Sequence, residues 1–350
     1  MPQNLSRRYF LACSVAAGSS SFFSTGLAFS AVDPEKSATE LITARTDQAI
    51  RKGLQYLAAR QEKDGAFGPS GYRRNVAVCA LAGMAMMASG STPGRGPYGE
   101  HLRRCVSYLL ANTHDNGFVC DAPASSHGPM YGHGFATLFL AQCYGMSQNE
   151  ELRKKLTAAI RLIVTTQNSE GGWRYQPQPT DADISVTVCE VMALRAARNA
   201  GLHVPNETID KSIAYVKKSQ NADGGFRYMI TGGPSAFPRS AAGIVALYSA
   251  GVYDDTAITR GLKYLLRYLP RGRQMGRTSH YFYGHYYAIQ AMWHAGENYW
   301  ASWYPAVRDE LTAAQQREGH WISSICPEYA TAMALLILQL PNNTLPIFQR

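Results

Sequence analysis

The sequence predicts an all-α fold: six helical hairpins closed into an α/α toroid, with an inner and an outer ring of six helices each. Three observations predict it. First, a short motif recurs. It reads Gln167-Asn-Ser-Glu-Gly-Gly-Trp173 and again Gln220-Asn-Ala-Asp-Gly-Gly-Phe226, with altered copies at Gln61–Phe67 and Gln315–Trp321 and a worn copy at Asn112–Phe118. Its markers at 61, 112, 167 and 220 lie 51, 55 and 53 residues apart, and the 95 residues from 220 to 315 hold one further unit whose marker has decayed. A fixed period of this length marks stacked supersecondary units. Second, every unit repeats one grammar: an amphipathic helix, an acidic-glycine turn with an aromatic residue, a loop, then a more apolar helix ending at glycine. Third, neither end unit carries the polar cap that an open solenoid needs, so closure into a ring is favoured.

The elements follow in order. In the first unit Ile50, Leu54, Leu57 and Ala58 fall at helical spacing on one face, with Asp47 as the expected N-cap. The amphipathic helices are expected over 47–61, 100–111, 150–166, 207–219, 256–268 and 304–315. The apolar helices are expected over 75–89, 132–144, 184–200, 239–250, 282–295 and 327–339. A helix apolar on all sides is buried on all sides, so the second set forms the inner ring. Several of these helices end alike, at Asn-Ala-Gly201, Ser-Ala-Gly251 and His-Ala-Gly296, as glycine C-caps do. The domain boundaries that result are 1–30, 31–46 as a lead-in, 47–340 as one toroid and 341–350 as a tail.

Of the 350 residues, 46% are hydrophobic and 17% charged, which permits a large core and excludes disorder for most of the length. The formal charge of +9 is spread along the chain. Its densest cluster, Arg267, Arg271, Arg273 and Arg277, reads as a solvated loop, and no nucleic-acid partner is expected. The first thirty residues read as a targeting segment. Ser6-Arg7-Arg8-Tyr9-Phe10-Leu11 resembles the twin-arginine export motif, an Ala- and Ser-rich apolar stretch follows, and Ala28-Phe-Ser30 offers a cleavage point. Export from a bacterial cell, to the periplasm or beyond, is the expectation. The chain after the signal has no run long and apolar enough to span a membrane. Outside the signal the six cysteines show no CxxC spacing, and buried free thiols are expected.

Lys52-Gly-Leu-Gln-Tyr-Leu-Ala-Ala-Arg-Gln-Glu-Lys-Asp-Gly-Ala-Phe67 resembles the Gln-Trp repeat of squalene and terpenoid cyclases. Phe67 stands where that repeat has tryptophan, and Trp173 and Trp321 keep it. The Gly-Gly-aromatic turns also resemble those of protein prenyltransferase β subunits. The resemblance covers about residues 45–340. It implies the α/α toroid and weighs little on the reaction, because one fold hosts many. In the repeat itself the glycines permit positive φ, the Gln can bond backbone groups left open at a helix end, and the aromatic covers the junction between units. These residues are structural.

All inner helices should start at one mouth of the ring, so polar residues at those starts converge. They are Asn75, Tyr131-Gly-His133, Asp181-Ala-Asp183, Arg239-Ser240, Tyr283-Gly-His285 and Glu328-Tyr329. The resemblance implies a first reading, an isoprenoid cyclase. Its Asp-x-Asp-Asp acid is matched at Asp181 and Asp183 and departs at Ile184. Paired carboxylates can share one proton, so Asp183 is the expected acid, Asp181 its tuner, and His133 and His285 orient it. The same aspartates also suit a helix N-cap. Tyr131, Phe135, Tyr283, Tyr286, Tyr287, Arg239 and Tyr329 are the expected substrate contacts, since aromatic faces stabilise carbocations and equally fill cores. A second reading is a metal site: His133, His285, Asp183 and Glu328 have ligand chemistry for zinc. The Asp-x-Cys of prenyltransferases is missing, and no α-subunit partner is expected. A third reading is a non-catalytic ring that binds or scaffolds.

Overall fold

In the computed structural model the described residues are 38–68, 72, 74–121, 128–147, 149–272, 275 and 278–349. The proposed signal at 1–30, the start of the lead-in, and Arg273 and Arg277 lie outside them. The described residues contain twelve α-helices, with four short 3-10 helices and isolated β-bridges beside them. The outer helices are α1 (Ala44–Arg60), α3 (Gly99–Ala111), α5 (Glu150–Thr165), α7 (Asn206–Lys218), α9 (Thr256–Leu265) and α11 (Glu297–Ala314). The inner ones are α2 (Val76–Ala88), α4 (Pro129–Ser147), α6 (Ile184–Asn199), α8 (Phe237–Ser249), α10 (Tyr281–Ala295) and α12 (Pro327–Gln339). Each inner helix packs on the next inner helix in turn, and α12 packs on α2, so the ring is closed. In the outer ring α11 meets α1.

The helix starts are set locally. Thr43, not Asp47, caps α1, through a reciprocal capping box with Thr46. Asn75 caps α2 by accepting from the N–H groups of Ala77 and Val78. The last outer helix begins at Glu297, seven residues before the expected start, and carries Pro305 within it.

The repeat turn joins the units. The side-chain amide of Gln167 donates to Gly171 O inside its own turn and to Thr208 O in the first turn of α7, both at 2.9 Å. Gln220 does the same to Gly224 O and Ala257 O. Gln61 reaches Gly65 O and His101 O. Gln315 reaches Gly319 O and Ala49 O of α1, which fastens unit six to unit one. Gly171 has φ +98°, and a Cβ there would lie 2.2 Å from Lys211 O. Only glycine lets the turn press so closely on the neighbouring helix.

The same geometry corrects the register of the worn unit. Gly117, with φ +88°, takes the place of Gly171 by pressing on Ala158. The bridge Thr113–Val119 then matches Gln220–Phe226. The marker is therefore Thr113 and not Asn112. Lys155 of α5 supplies the missing cross-unit bond, to Leu110 O and Thr113 O.

The amide bridge satisfies two carbonyls at once, so Gln167→Leu should cost about 1–3 kcal/mol in urea unfolding. Gly171→Ala, which adds a clash and a strained φ, should cost more than Gln167→Leu. Equal or smaller losses at Gly171 would contradict the close-packed turn.

Candidate functional site

The start of α6 is where the mouth carries an acid. Asp183 is the N-cap of α6, and its Oδ1 accepts from the N–H groups of Ser185 at 2.8 Å and Val186 at 3.0 Å. Its backbone N–H is tied to Trp173 O, so the repeat turn fixes the carboxyl in place. Oδ2 faces two groups: the Tyr228 hydroxyl, which donates at 3.4 Å, and Arg174 Nε at 3.6 Å. The side chain has 0% exposure. Burial pushes its pKa up to about 6, against the two backbone N–H bonds, Arg174 and Tyr228, which hold it down. An acid raised by burial is common at functional positions.

Asp181 does not touch Asp183. It is 45% exposed and binds Arg174 Nη1 at 2.6 Å, so any influence it has on Asp183 passes through the shared guanidinium. Arg174 in turn lies over the rings of Tyr175 and Tyr228, 4.9 and 5.4 Å from their centroids. The hydroxyls of Tyr175 and Tyr228 bond to each other. Arg174, Tyr175 and Tyr228 are the site residues the motif reading passes over. Their signal is in the sequence: Gly-Gly-Trp-Arg-Tyr175 and Gly-Gly-Phe-Arg-Tyr228 repeat the Arg-Tyr pair after the structural aromatic.

Below the acid, five of the seven expected contacts form one chain of rings. Tyr131 lies 6.0 Å from Tyr175 and 6.4 Å from Tyr283. Tyr283 meets Tyr287 at 4.8 Å, Tyr287 meets Tyr286 at 4.8 Å, and Tyr286 meets Phe135 at 6.2 Å. Tyr283 also donates to Ser185 O at 2.7 Å, and Tyr287 contacts the Cys189 thiol at 3.3 Å, so α10 and α6 meet across the ring. Tyr329 is buried in the first turn of α12, and burial, then Cys189 and Cys326, keep its hydroxyl protonated. Arg239 does not join the group: it holds its own loop through Phe226 O and Pro234 O. Glu190 on α6 is a further buried acid, without a hydrogen-bond partner among the described residues and kept protonated by burial.

The histidines belong elsewhere. His133 accepts from Val119 N at Nδ1 and bonds Ala159 O through Nε2, at 3.1 and 3.2 Å. In other units Trp173 N donates to Thr187, Phe226 N to Ser240 and Trp321 N to Thr331. His133 therefore fills the same stapling position, facing the outer ring. His285 occupies the corresponding place on α10, boxed by Tyr281, Phe237 and Trp303 at 4.3, 4.9 and 5.8 Å. Neither of its ring nitrogens has a hydrogen-bond partner among the described residues. Burial holds both imidazoles neutral, His133 down to about 4 and His285 down to about 3. Glu328 is bound by Arg60 at 3.1 Å. The expected set of His133, His285, Asp183 and Glu328 is thus not brought together, and no three metal-ligating side chains converge among the described residues. These residues do not fit a shared zinc ion.

Two predictions follow from this geometry. Folded Asp183 holds its proton more tightly than the unfolded chain does, so its contribution to stability is full at low pH and is lost as pH rises through about 6. Asn keeps the cap and cannot ionise. Relative to Asp183→Asn, the wild type should lose about 2–3 kcal/mol between pH values of about 4 and 7, measured as urea midpoints. A constant difference would contradict the buried acid. Separately, His133→Leu strands a buried N–H and a carbonyl and should cost about 1–3 kcal/mol, whereas His285→Phe removes two unpaired nitrogens and should be neutral or stabilising by calorimetry.

The family comparisons agree with this architecture. The model of the prenyltransferase alpha-alpha toroid domain matches residues 38–174 and 135–267. A drimenyl diphosphate synthase from Streptomyces showdoensis is 26% identical over 214 residues, which cover 59% of this chain and 38% of that protein. The chain therefore spans well under half the length of this relative. Among solved structures, the type II terpene cyclase MstE from Scytonema superposes with a TM-score of 0.61 at 15% identity, covering 87% of this chain and 100% of that one. A GH76 α-mannanase from Bacteroides thetaiotaomicron superposes with a TM-score of 0.60 at 11% identity, covering 87% and 98%. At these identities the likeness is one of fold. With a family model matched over more than half its length, the chain belongs to the prenyltransferase alpha-alpha toroid domain family.

Proposed function

We propose that this protein is an exported, proton-initiated isoprenoid cyclase, with Asp183 as the acid and the ring interior as the reaction space. The observation that carries the proposal is the state of Asp183: buried, raised to about 6, fixed through Oδ1, and set above a chain of aromatic rings. In the reaction, Oδ2–H transfers its proton to a terminal alkene. The C–H bond that forms takes the alkene electron pair and leaves a tertiary cation. The next double bond attacks that cation to close a ring, and the final cation loses a proton to water, which in turn reprotonates Asp183, so substrate and product are isomers. The carboxylate left behind is stabilised by the Ser185 and Val186 N–H groups and by Arg174. Tyr131, Phe135, Tyr283, Tyr286 and Tyr287 offer ring faces to the cation. MstE, which shares the fold, has been captured with geranylgeranyl dihydroxybenzoate as its substrate, an apolar chain of the kind proposed here. Export rests on Ser6–Leu11 and the apolar stretch after it. Among the described residues no helix is long and apolar enough to cross a membrane.

Ile184 favours a second reading, in which the ring binds an apolar ligand without turning it over. It removes the third carboxylate of the acid motif that the cyclase resemblance implies.

The test is to incubate the protein with farnesyl and geranylgeranyl diphosphates and squalene and to analyse extracts by gas chromatography–mass spectrometry. A cyclic isomer should form, and Asp183→Asn should lower its rate by about a hundredfold or more. Bound but unconverted isoprenoid would support the binding reading. Equal rates in the variant would remove Asp183 as the acid.

A further inference from the structure

The tail after α12 packs against the inner helices. It leaves α12 through a short turn at Leu340–Asn342 and ends in another at Pro346–Phe348. Leu345, Ile347 and Phe348 are buried as deeply as core residues. Thr344 donates to Ala88 O at the end of α2, at 2.9 Å. Ile347 N donates to the Gln142 side chain in the last part of α4, and Trp293 Nε1 near the end of α10 donates to Phe348 O at 3.0 Å. The final turn also packs on α6. These anchors lie towards the C-terminal ends of the inner helices, opposite the mouth where Asp183 sits. The Phe348 ring nevertheless reaches Tyr286, in the second turn of α10, at 6.3 Å between centroids in an edge contact. Phe348 is therefore the last ring in the chain that begins beside the acid at Tyr175 and Tyr131.

We propose that this tail is the floor of the substrate space and that Phe348 sets the length of apolar chain the ring accepts. The proposal rests on the isoprenoid reading above for its ligand. Its physical basis is independent of that reading: a buried apolar segment is hydrogen-bonded to three inner helices, and its last ring packs on the aromatic chain that begins beside Asp183.

The test compares wild type, Phe348→Ala and the milder Phe348→Leu for binding of farnesol and geranylgeraniol by isothermal titration calorimetry. The alanine variant should shift the affinity ratio toward the longer alcohol by about tenfold, the equivalent of burying a few more methylene groups, with the leucine variant between. An unchanged ratio in both variants overturns the proposal. If neither alcohol binds the wild type, the isoprenoid reading fails while the floor remains testable. Removal of residues 344–350 should then raise the fluorescence of 1-anilinonaphthalene-8-sulfonate several-fold with near-ultraviolet circular dichroism retained. Unchanged fluorescence in that truncated protein would show that the tail closes nothing.

Discussion

A side-chain amide that donates to two carbonyls, one in its own turn and one in the next outer helix, is the bond on which the ring depends. Gln61, Gln167, Gln220 and Gln315 all make it. The glycine four residues later removes the Cβ that would hold the two helices apart. Because Gln315 reaches Ala49, the chain of contacts returns to its beginning. Closure then forces every inner helix to start at the same end. Ser185, beside Asp183 in sequence and far from Tyr283, is thereby placed against Tyr283.

The chemistry of the mouth follows from that enforced convergence. A carboxyl at a helix N-terminus is ordinarily held low by the N–H groups it caps. At Asp183 the cap is buried in an apolar ring, and desolvation outweighs two N–H bonds and a guanidinium. Capping and acidity are thus not alternatives here: Oδ1 serves the helix and Oδ2 is turned toward Tyr228 and Arg174. Arg174 is shared with the exposed Asp181, which gives solvent-side charge an indirect hold on the buried acid.

Much of the fold was legible in the sequence because its periodicity records the turn, and the turn is where the stereochemical demands are strictest. Gly171 and Gly224 cannot be replaced without collision, so the motif survives there. Where another group makes the cross-unit bond, as Lys155 does in unit two, the marker drifts, and a reading keyed on Asn112 slips by one residue. The Tyr-Gly-His tripeptides show the limit for the site. Helical geometry sends their three residues in three directions. Tyr131 and Tyr283 meet across the ring. Gly132 and Gly284 make room for Val76 and Phe237 on the adjacent inner helix. His133 and His285 face the outer ring. The repeated histidine looks like a site in one dimension; in three, His133 is a staple and His285 is boxed in by aromatic rings without a hydrogen bond among the described residues. Arg174 and Tyr228 were harder to see for the opposite reason, since they sit directly behind the structural aromatics and look like part of the turn.

The most direct measurement is the ionisation of Asp183 itself, followed by carbon NMR of protein labelled with carboxyl-carbon-13 aspartate. The resonance that disappears in Asp183→Asn should titrate with a midpoint near 6, well above the ordinary aspartate value of about 3.9. A midpoint at or below the ordinary value would mean a permanently ionised cap, and proton donation from this position would be contradicted.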